Sequence, residues 1–529
     1  MNDGGSTAFD QRAVFSFLGD PKTYGAREVR RIDTHGAVVF LVGDDAYKVK
    51  RAVKFPFMDF STLERRRLAC EAEIAVNRQN APGVYLETVP IVRRADRLVL
   101  GGRGEPVEWA VHMRRFDEEA TLDRLAERQE LSEDLATRLA AAVVRSHQRA
   151  PRRDGTAATA SLGLYLDQNE AAFAADPNLF EPSRAKDLAR DARAALAAMK
   201  DLLIARGAAG YARRCHGDLH LRNIALIARE PTLFDAVEFD DAIATGDILY
   251  DLAFLIMDLE ERGLRPLANL VLNRYLWASD EAQLSGLAAL PLFLSIRSAI
   301  RAKVVAAGLP YLEGQARARA AAEARRYFWF AEEFLAPRPA QLVAVGGLSG
   351  TGKSAFAAAL APLLGRAPGA VWLRSDIERK RLFHVETTDR LPQAAYAAGV
   401  GAEVYCRLRR GAGLALKSGH SVIVDAIHSR ADEQTAVERS ASELGVGFVG
   451  FWLEAPLEVR LKRIGNRRGD ASDADAAVAI AQVAETPSGT GWRRLDASAD
   501  VQRMLTAARL FLGLAPGKTT NMVNEIGPR

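Results

Sequence analysis

At 529 residues the chain has room for about three compact units, and 48% hydrophobic with 26% charged residues is the composition of an ordinary folded globular protein. The 71 basic residues nearly balance 67 acidic ones, leaving a formal net charge of +4, which argues against a dedicated nucleic-acid binder with a basic stripe. Cys70, Cys215 and Cys406 lie far apart and form no CxxC pair, so neither a disulfide framework nor a zinc ribbon is expected, and a reducing compartment fits. The first residues hold no basic segment leading into an apolar one, and the most apolar stretch, around Phe254, is broken by Asp251 and Asp258. Neither a signal peptide nor a membrane span is expected, and the cytoplasm is the expected location.

Residues 25–115 read as a small, mostly β lobe. Val38-Val39-Phe40-Leu41 and Tyr47-Lys48-Val49-Lys50 flank an Asp44-Asp45 turn. A charged helix follows from Ser61 to Asn80, with Ser61 as its cap and Glu64 three residues on. Further strands are expected near 84–93, 96–101 and 107–113. Residues 116–335 read as a helical lobe, interrupted by strand and loop at 211–250. Ala336-Pro337-Arg338-Pro339-Ala340 is a linker that no helix can cross. In 341–512 the strands Leu342–Val345, Val371–Leu373, Ser421–Asp425 and Val446–Leu453 alternate with helices, the mark of a parallel α/β sheet. Residues 513–529 are a polar tail. The fold class is multidomain, α+β followed by α/β.

Gly347-Leu348-Ser349-Gly350-Thr351-Gly352-Lys353-Ser354 matches G-x-x-x-x-G-K-[ST], with an apolar strand before it and a helix after it. Glycines let backbone N–H groups face phosphate oxygens, and the helix N-terminus adds positive potential. Lys353 is placed for the β- and γ-phosphates, Ser354 for magnesium. A second carboxylate on the metal side is expected at a strand end, and Asp425 supplies one. Cys215-His216-Gly217-Asp218-Leu219-His220-Leu221-Arg222-Asn223 is the second informative segment. An Asp followed five residues later by Asn is the spacing of a kinase catalytic loop: Asp218 takes the hydroxyl proton and Asn223 holds magnesium. A metal pair from His216 and His220 needs a helix that Gly217 opposes.

The C-terminal motifs resemble P-loop small-molecule kinases of the gluconate kinase and zeta-toxin group. That resemblance implies Asp376, in Trp372-Leu373-Arg374-Ser375-Asp376, as the residue orienting or deprotonating an acceptor hydroxyl. It implies Arg379, Lys380 and Arg381 as acceptor-side bases, Arg379 meeting an acidic or phosphorylated group. It also implies a closing lid with Arg460, Arg463, Arg467 and Arg468, of which Arg463 and Arg467 meet the transferring phosphate.

The N-terminal motif resembles the aminoglycoside phosphotransferase-like family, distant kin of protein kinases, and implies a bilobal kinase-like module over about 25–335. In Leu233-Phe234-Asp235-Ala236-Val237-Glu238-Phe239-Asp240 the resemblance implies Glu238 as metal ligand with Asp240 as alternate. Gly246-Asp247-Ile248-Leu249-Tyr250-Asp251-Leu252-Ala253 matches a family helix whose Asp247 and Asp251 buttress the loop. Lys48 fits the strand lysine that grips phosphates, with Lys50 on the same face, Glu73 as its helix partner and Glu71 as runner-up. Glu108–Met113 is the expected adenine hinge, and Gly36 stands in a poor glycine-rich loop. The arrangement also resembles bacterial proteins in which such a domain precedes a P-loop domain.

The reading is an ATP- and magnesium-dependent phosphotransferase with two candidate sites acting on small-molecule hydroxyls, without a membrane partner. One alternative makes the N-terminal module a nucleotide-binding regulator. A second, a nucleic-acid 5′-end kinase, needs a basic channel with interleaved aromatics that Arg374, Arg379, Lys380 and Arg381 do not supply.

Overall fold

The computed structural model of the chain describes residues 11–55, 58–467, 469–482, 491–498 and 500–514. Arg468 and the tail beyond residue 514 lie outside them. Two compact units emerge: Met1–Ser161 with Ile204–Leu255, and Leu162–Leu203 with Ile256–Arg529. No helix among the described residues is long and apolar enough to cross a membrane.

The first unit is built on a six-stranded antiparallel sheet. Its order is Val29–Asp33, Ala37–Val42, Asp45–Lys50, Glu105–Arg114, Tyr85–Arg94, Arg97–Leu100. Alternation puts Val38, Phe40, Val49, Ile91 and Ala110 on one buried face. The helix Leu63–Asn77 is capped by Thr62, whose hydroxyl accepts from the Arg65 N–H at 3.3 Å; Ser61, the residue expected in that role, instead donates to Asp59 at 2.6 Å. A second difference concerns the hinge. Glu108–Met113 lies inside a strand bonded to neighbours on both sides. From Ala110 to Met113 the strand is paired on both sides, so those backbone groups are spent on the ladder and are not free for adenine. The chain leaves this sheet only after Arg114.

The second unit carries a five-stranded, all-parallel sheet. Its order is Val371–Arg374, Val422–Asp425, Gln341–Gly347, Gly447–Glu454, Arg493–Asp496. Strands covered on both faces must be apolar throughout, and Leu342, Val343, Ala344 and Val345 are fully buried. The same unit includes the helices Arg265–Trp277, Leu290–Gly308 and Gly314–Leu335. The division therefore falls upstream of the proline segment at 336–340.

Glu260 gives this unit a pH signature. Its side chain is 6% exposed, Arg265 stands 3.9 Å away, and Oε1 meets no hydrogen-bond donor among the described residues. Burial pushes its carboxyl up to about 7 against the pull of Arg265. The native state thus holds the proton more tightly than the unfolded chain. Stability from this group is full below the ordinary carboxylate range and is lost as pH rises through about 7. The loss is on the order of 3 kcal/mol. Thermal melting from pH 5 to 8 is expected to fall more steeply for the parent than for Glu260→Gln; equal slopes would contradict this assignment.

Candidate phosphotransfer sites

In the first unit the strand Asp45–Lys50 points Lys48 and Lys50 at one buried carboxylate. Lys48 Nζ lies 2.8 Å from Glu73 Oε1, and Lys50 Nζ lies 2.5 Å from Glu73 Oε2. Two residues apart on a strand means the same face, so both lysines converge. Glu73 is wholly buried; burial pushes its carboxyl up, but the two ammonium groups more than offset that and hold it below the ordinary range. Glu71 points elsewhere and pairs with Arg67.

Lys48 also lies 2.7 Å from Asp235 Oδ1. Burial alone would lower the lysine's pKa, but Asp235 and Glu73 raise it well above normal. Asp235 takes a left-handed backbone, φ 59°, which Asp tolerates better than most residues. Its side chain is 44% exposed, open to a ligand.

The expected metal role of Glu238 and Asp240 does not fit. The Glu238 side chain is 7% exposed and ion-paired to Lys50, and burial pushes its carboxyl up. Asp240 caps the short helix Asp241–Ala244, accepting from the N–H groups of Ala242 and Ile243 at 2.8 and 3.2 Å. Asp235 is the carboxylate that sequence reading passed over. The signal was present: it follows the strand Glu230–Leu233 as Asp425 ends its own.

The loop from His216 to Asn223 is held from below. Asp251 accepts from Gly217 N–H at 2.8 Å and His216 N–H at 3.3 Å, and it also lies 3.1 Å from His147 Nε2. Gly217 has φ 82°, and a Cβ there would stand 3.1 Å from Ala244 Cα, so this position demands glycine. Asp247 forms a buried fork with Arg206 at 2.6 and 2.8 Å. His216 Nε2 lies 2.9 Å from the Phe234 carbonyl, while His220 packs edge-on to Phe254, so the two rings serve different contacts. Asn223 Nδ2 donates to Asp218 O and Oδ2 at 3.0 and 2.9 Å, fixing the carboxylate that faces outward. Burial raises the Asp235 carboxyl pKa, but Lys48 more than offsets it and holds the group below the ordinary carboxylate range, with nearby Asp218 opposing the lysine.

In the second unit the glycine-rich turn Gly347–Ser354 joins the central strand to the helix Lys353–Leu360. Gly350 has φ 85°, and a Cβ there would meet Arg460 O at 2.7 Å; Gly352, φ 94°, is the helix N-cap. Both need a residue without Cβ. Ser354 Oγ donates to Asp425 Oδ2 at 2.8 Å, pairing the two residues expected to share a metal.

A cavity of about 840 Å³ is lined by Lys353, Ser354, Asp376, Asp425, Arg463 and Arg467, together with Arg379. Burial depresses the Lys353 ammonium against the pull of Asp425 and Asp376. Burial raises the Asp376 carboxyl, with Asp425 adding to it and Arg374 and Lys353 opposing. Arg463 Nη1 donates to Thr351 O at 3.0 Å. Arg467 Nη1 is buried and has no acceptor among the described residues, and the same holds for Arg379 Nε. Unanswered buried donors beside a glycine turn, with a serine–carboxylate pair, fit a nucleotide's phosphates and a magnesium ion.

Three basic residues expected here do something else. Arg460 is buried and donates to Ser349 O and Ala479 O at 2.8 and 3.0 Å, bracing the glycine turn. Lys380 is buried and donates to Thr387 O and Asp389 O, while Arg381 reaches Ser279 O and Glu378. Arg379 alone of that run lines the cavity, its guanidinium carbon 4.9 Å from the Tyr396 ring centroid.

Residues 31–287 match the family model described as "Phosphotransferase enzyme family", and residues 342–486 match one described as "AAA domain". Fold and sites thus define a kinase-class protein, with a kinase-like domain ahead of a P-loop kinase-like domain. The chain belongs to the family of the "Uncharacterized protein Rv2004c" of Mycobacterium tuberculosis (strain ATCC 25618 / H37Rv), to which it is 31% identical over 490 residues, covering 90% of this chain and 94% of that protein. An uncharacterized protein of Mycobacterium bovis aligns with the same identity and coverage. Among solved structures, a choline/ethanolamine kinase family protein from Mesorhizobium loti aligns over 61% of this chain and 94% of its own, at 14% identity and a TM-score of 0.39. A gluconokinase from Sinorhizobium meliloti 1021 aligns over 34% of this chain and 94% of its own, at 18% identity and a TM-score of 0.25.

Proposed function

We propose that this chain is a two-centre, ATP-dependent phosphotransferase of the cytoplasm, each centre moving a γ-phosphoryl group to a hydroxyl of a small molecule. The observation that carries the reading is a repeated arrangement. At each centre a carboxylate suited to accept a hydroxyl proton, Asp218 or Asp376, is near a metal-suited carboxylate, Asp235 or Asp425. A lysine suited to phosphate, Lys48 or Lys353, accompanies each pair.

At the N-terminal centre Lys48, aligned by Glu73, holds the donor's phosphates and Asp218 takes the acceptor's proton, with its carboxylate fixed by Asn223. At the C-terminal centre the turn Gly347-Leu348-Ser349-Gly350-Thr351-Gly352 and Lys353 hold the donor, Asp376 receives the proton, and Arg463 and Arg467 stabilise charge on the transferring group. Asn223 with Asp235, and Ser354 with Asp425, are the residues to hold magnesium. That ion, when bound, supplies charge neutralisation of the phosphates. The proposed extents are 25–335 for the first module and 341–512 for the second.

A second reading treats the N-terminal module as a nucleotide-binding regulator. It is favoured by the closed Lys48–Asp235 ion pair and by a hairpin with a single glycine, Gly36, where a glycine-rich loop would stand. Calorimetric titration with magnesium and a non-hydrolysable ATP analogue tests the number of sites. Two sites per chain are expected, reduced to one by Lys48→Met and to one by Lys353→Ala. A parent that binds one equivalent, lost in Lys353→Ala, removes the N-terminal nucleotide site.

A further inference from the structure

The strand Val371–Arg374 is the outer strand of the parallel sheet, yet its outward backbone groups are not left open. The helix Arg265–Trp277 covers them with side chains. Asn273 Oδ1 accepts from Trp372 N–H at 2.7 Å, and Trp277 Nε1 donates to Trp372 O at 2.8 Å. Asn269 Nδ2 donates to Ala370 O at 3.0 Å. Asn269, Asn273 and Trp277 are all buried, so each contact replaces one that water cannot supply. An exposed edge strand is ordinarily blunted by charge or proline; here a helix completes it.

The covered strand leads directly to the C-terminal site. Arg374 stands in register with Asp425. Trp277 and Trp372 pack edge-to-face with ring centroids 5.0 Å apart. The Arg374 guanidinium carbon lies 5.7 Å from the Trp277 ring and 5.1 Å from the Trp372 ring. From there Arg374 reaches Asp470 at 2.7 Å and Asp425 at 3.7 Å, and Trp372 Nε1 donates to Asp425 Oδ2 at 3.3 Å. Trp277, Asn273 and Asn269 all lie within the span that matches the phosphotransferase family, 31–287, not the one containing the glycine-rich turn.

We propose that Trp277 and Asn273 are positioning residues of the C-terminal site: they set the edge strand, and through Trp372 and Arg374 they fix Asp425 where it meets Ser354. A segment that sequence assigns to one kinase-like domain thereby completes the other. The inference rests on the reading of the Lys353 cavity as a magnesium–nucleotide site.

The test uses the full chain carrying Lys48→Met, titrated with a non-hydrolysable ATP analogue in the presence and absence of magnesium. Trp277→Phe keeps an aromatic ring but removes the N–H donated to the strand. It is expected to weaken binding with magnesium about fivefold and leave binding without magnesium unchanged. Trp372→Phe, which removes the donor to Asp425, is expected to do the same, and the double variant to lose less than the product of the two. Unchanged affinity in Trp277→Phe overturns the inference alone, as does an equal loss with and without magnesium, or strictly multiplicative effects. A parent showing no binding that Lys353→Ala removes overturns the reading of the cavity, and the inference with it.

Discussion

Lys353→Ala is expected to lower phosphoryl transfer at the C-terminal centre by about 10²–10³-fold while leaving the N-terminal product untouched. The lysine begins the helix behind the glycine turn and lines the same cavity as Asp376, Asp425, Arg463 and Arg467. Its depressed pKa marks an ammonium held in a partly dry site, where a fixed charge acts on a phosphoryl group with little screening. Arg463→Ala and Arg467→Ala remove charge from the same place, yet each leaves the other arginine. The lysine is therefore the larger loss. The pH dependence of this centre follows from Asp376. Burial raises its pKa, and a proton acceptor must be ionised to work. Turnover is lost as pH falls through that raised value, so the acid limb of the rate profile is expected above the ordinary carboxylate range. Steady-state rates from pH 4 to 8 check it.

Asp218→Asn is expected to lower transfer at the N-terminal centre by about 10²–10⁴-fold, the range that a positioned general base contributes. The substitution keeps the shape of the side chain and its contact with Asn223, so the loop held by Asp251 survives. Asp235→Asn is expected to be damaging too, since it removes the exposed carboxylate beside Lys48. Asp240→Ala supplies the contrast. Asp240 is a helix cap, and its loss costs about 1 kcal/mol of stability with little change in rate. A large loss of activity in Asp240→Ala with none in Asp235→Asn would restore Asp240 as the metal residue.

Much of this was legible in the sequence because the chemistry forces local patterns. The turn Gly347–Ser354 needs glycine at defined steps, and the parallel strands need unbroken apolar runs; both stand in the residues themselves. The spacing from Asp218 to Asn223 is likewise local. Lys48 and Glu73 were readable as a pair because a strand lysine and a following helix glutamate recur together, although the sequence could not show that Lys50 shares the same carboxylate.

What escaped depends on which side chains are buried. Asp235 and Glu238 are three residues apart and look alike in a string; only burial separates a ligand-facing carboxylate from one consumed by Lys50. Arg460, Lys380 and Arg381 looked like site residues because they are basic and adjacent to some, but they hold backbone carbonyls. The helix Arg265–Trp277 carried no motif at all. Its role lies in Asn269, Asn273 and Trp277, spaced four apart on one face, and that face means nothing until the edge of the sheet meets it.

The most direct test is transfer of labelled γ-phosphate from ATP into a pooled metabolite extract supplemented with an aminoglycoside panel. Parent, Asp218→Asn, Lys353→Ala and the double variant are run side by side. Two labelled products, each lost in only one single variant and both absent in the double, are the predicted result. A single product lost only in Lys353→Ala, or one lost equally in both single variants, would contradict two independent phosphotransfer centres.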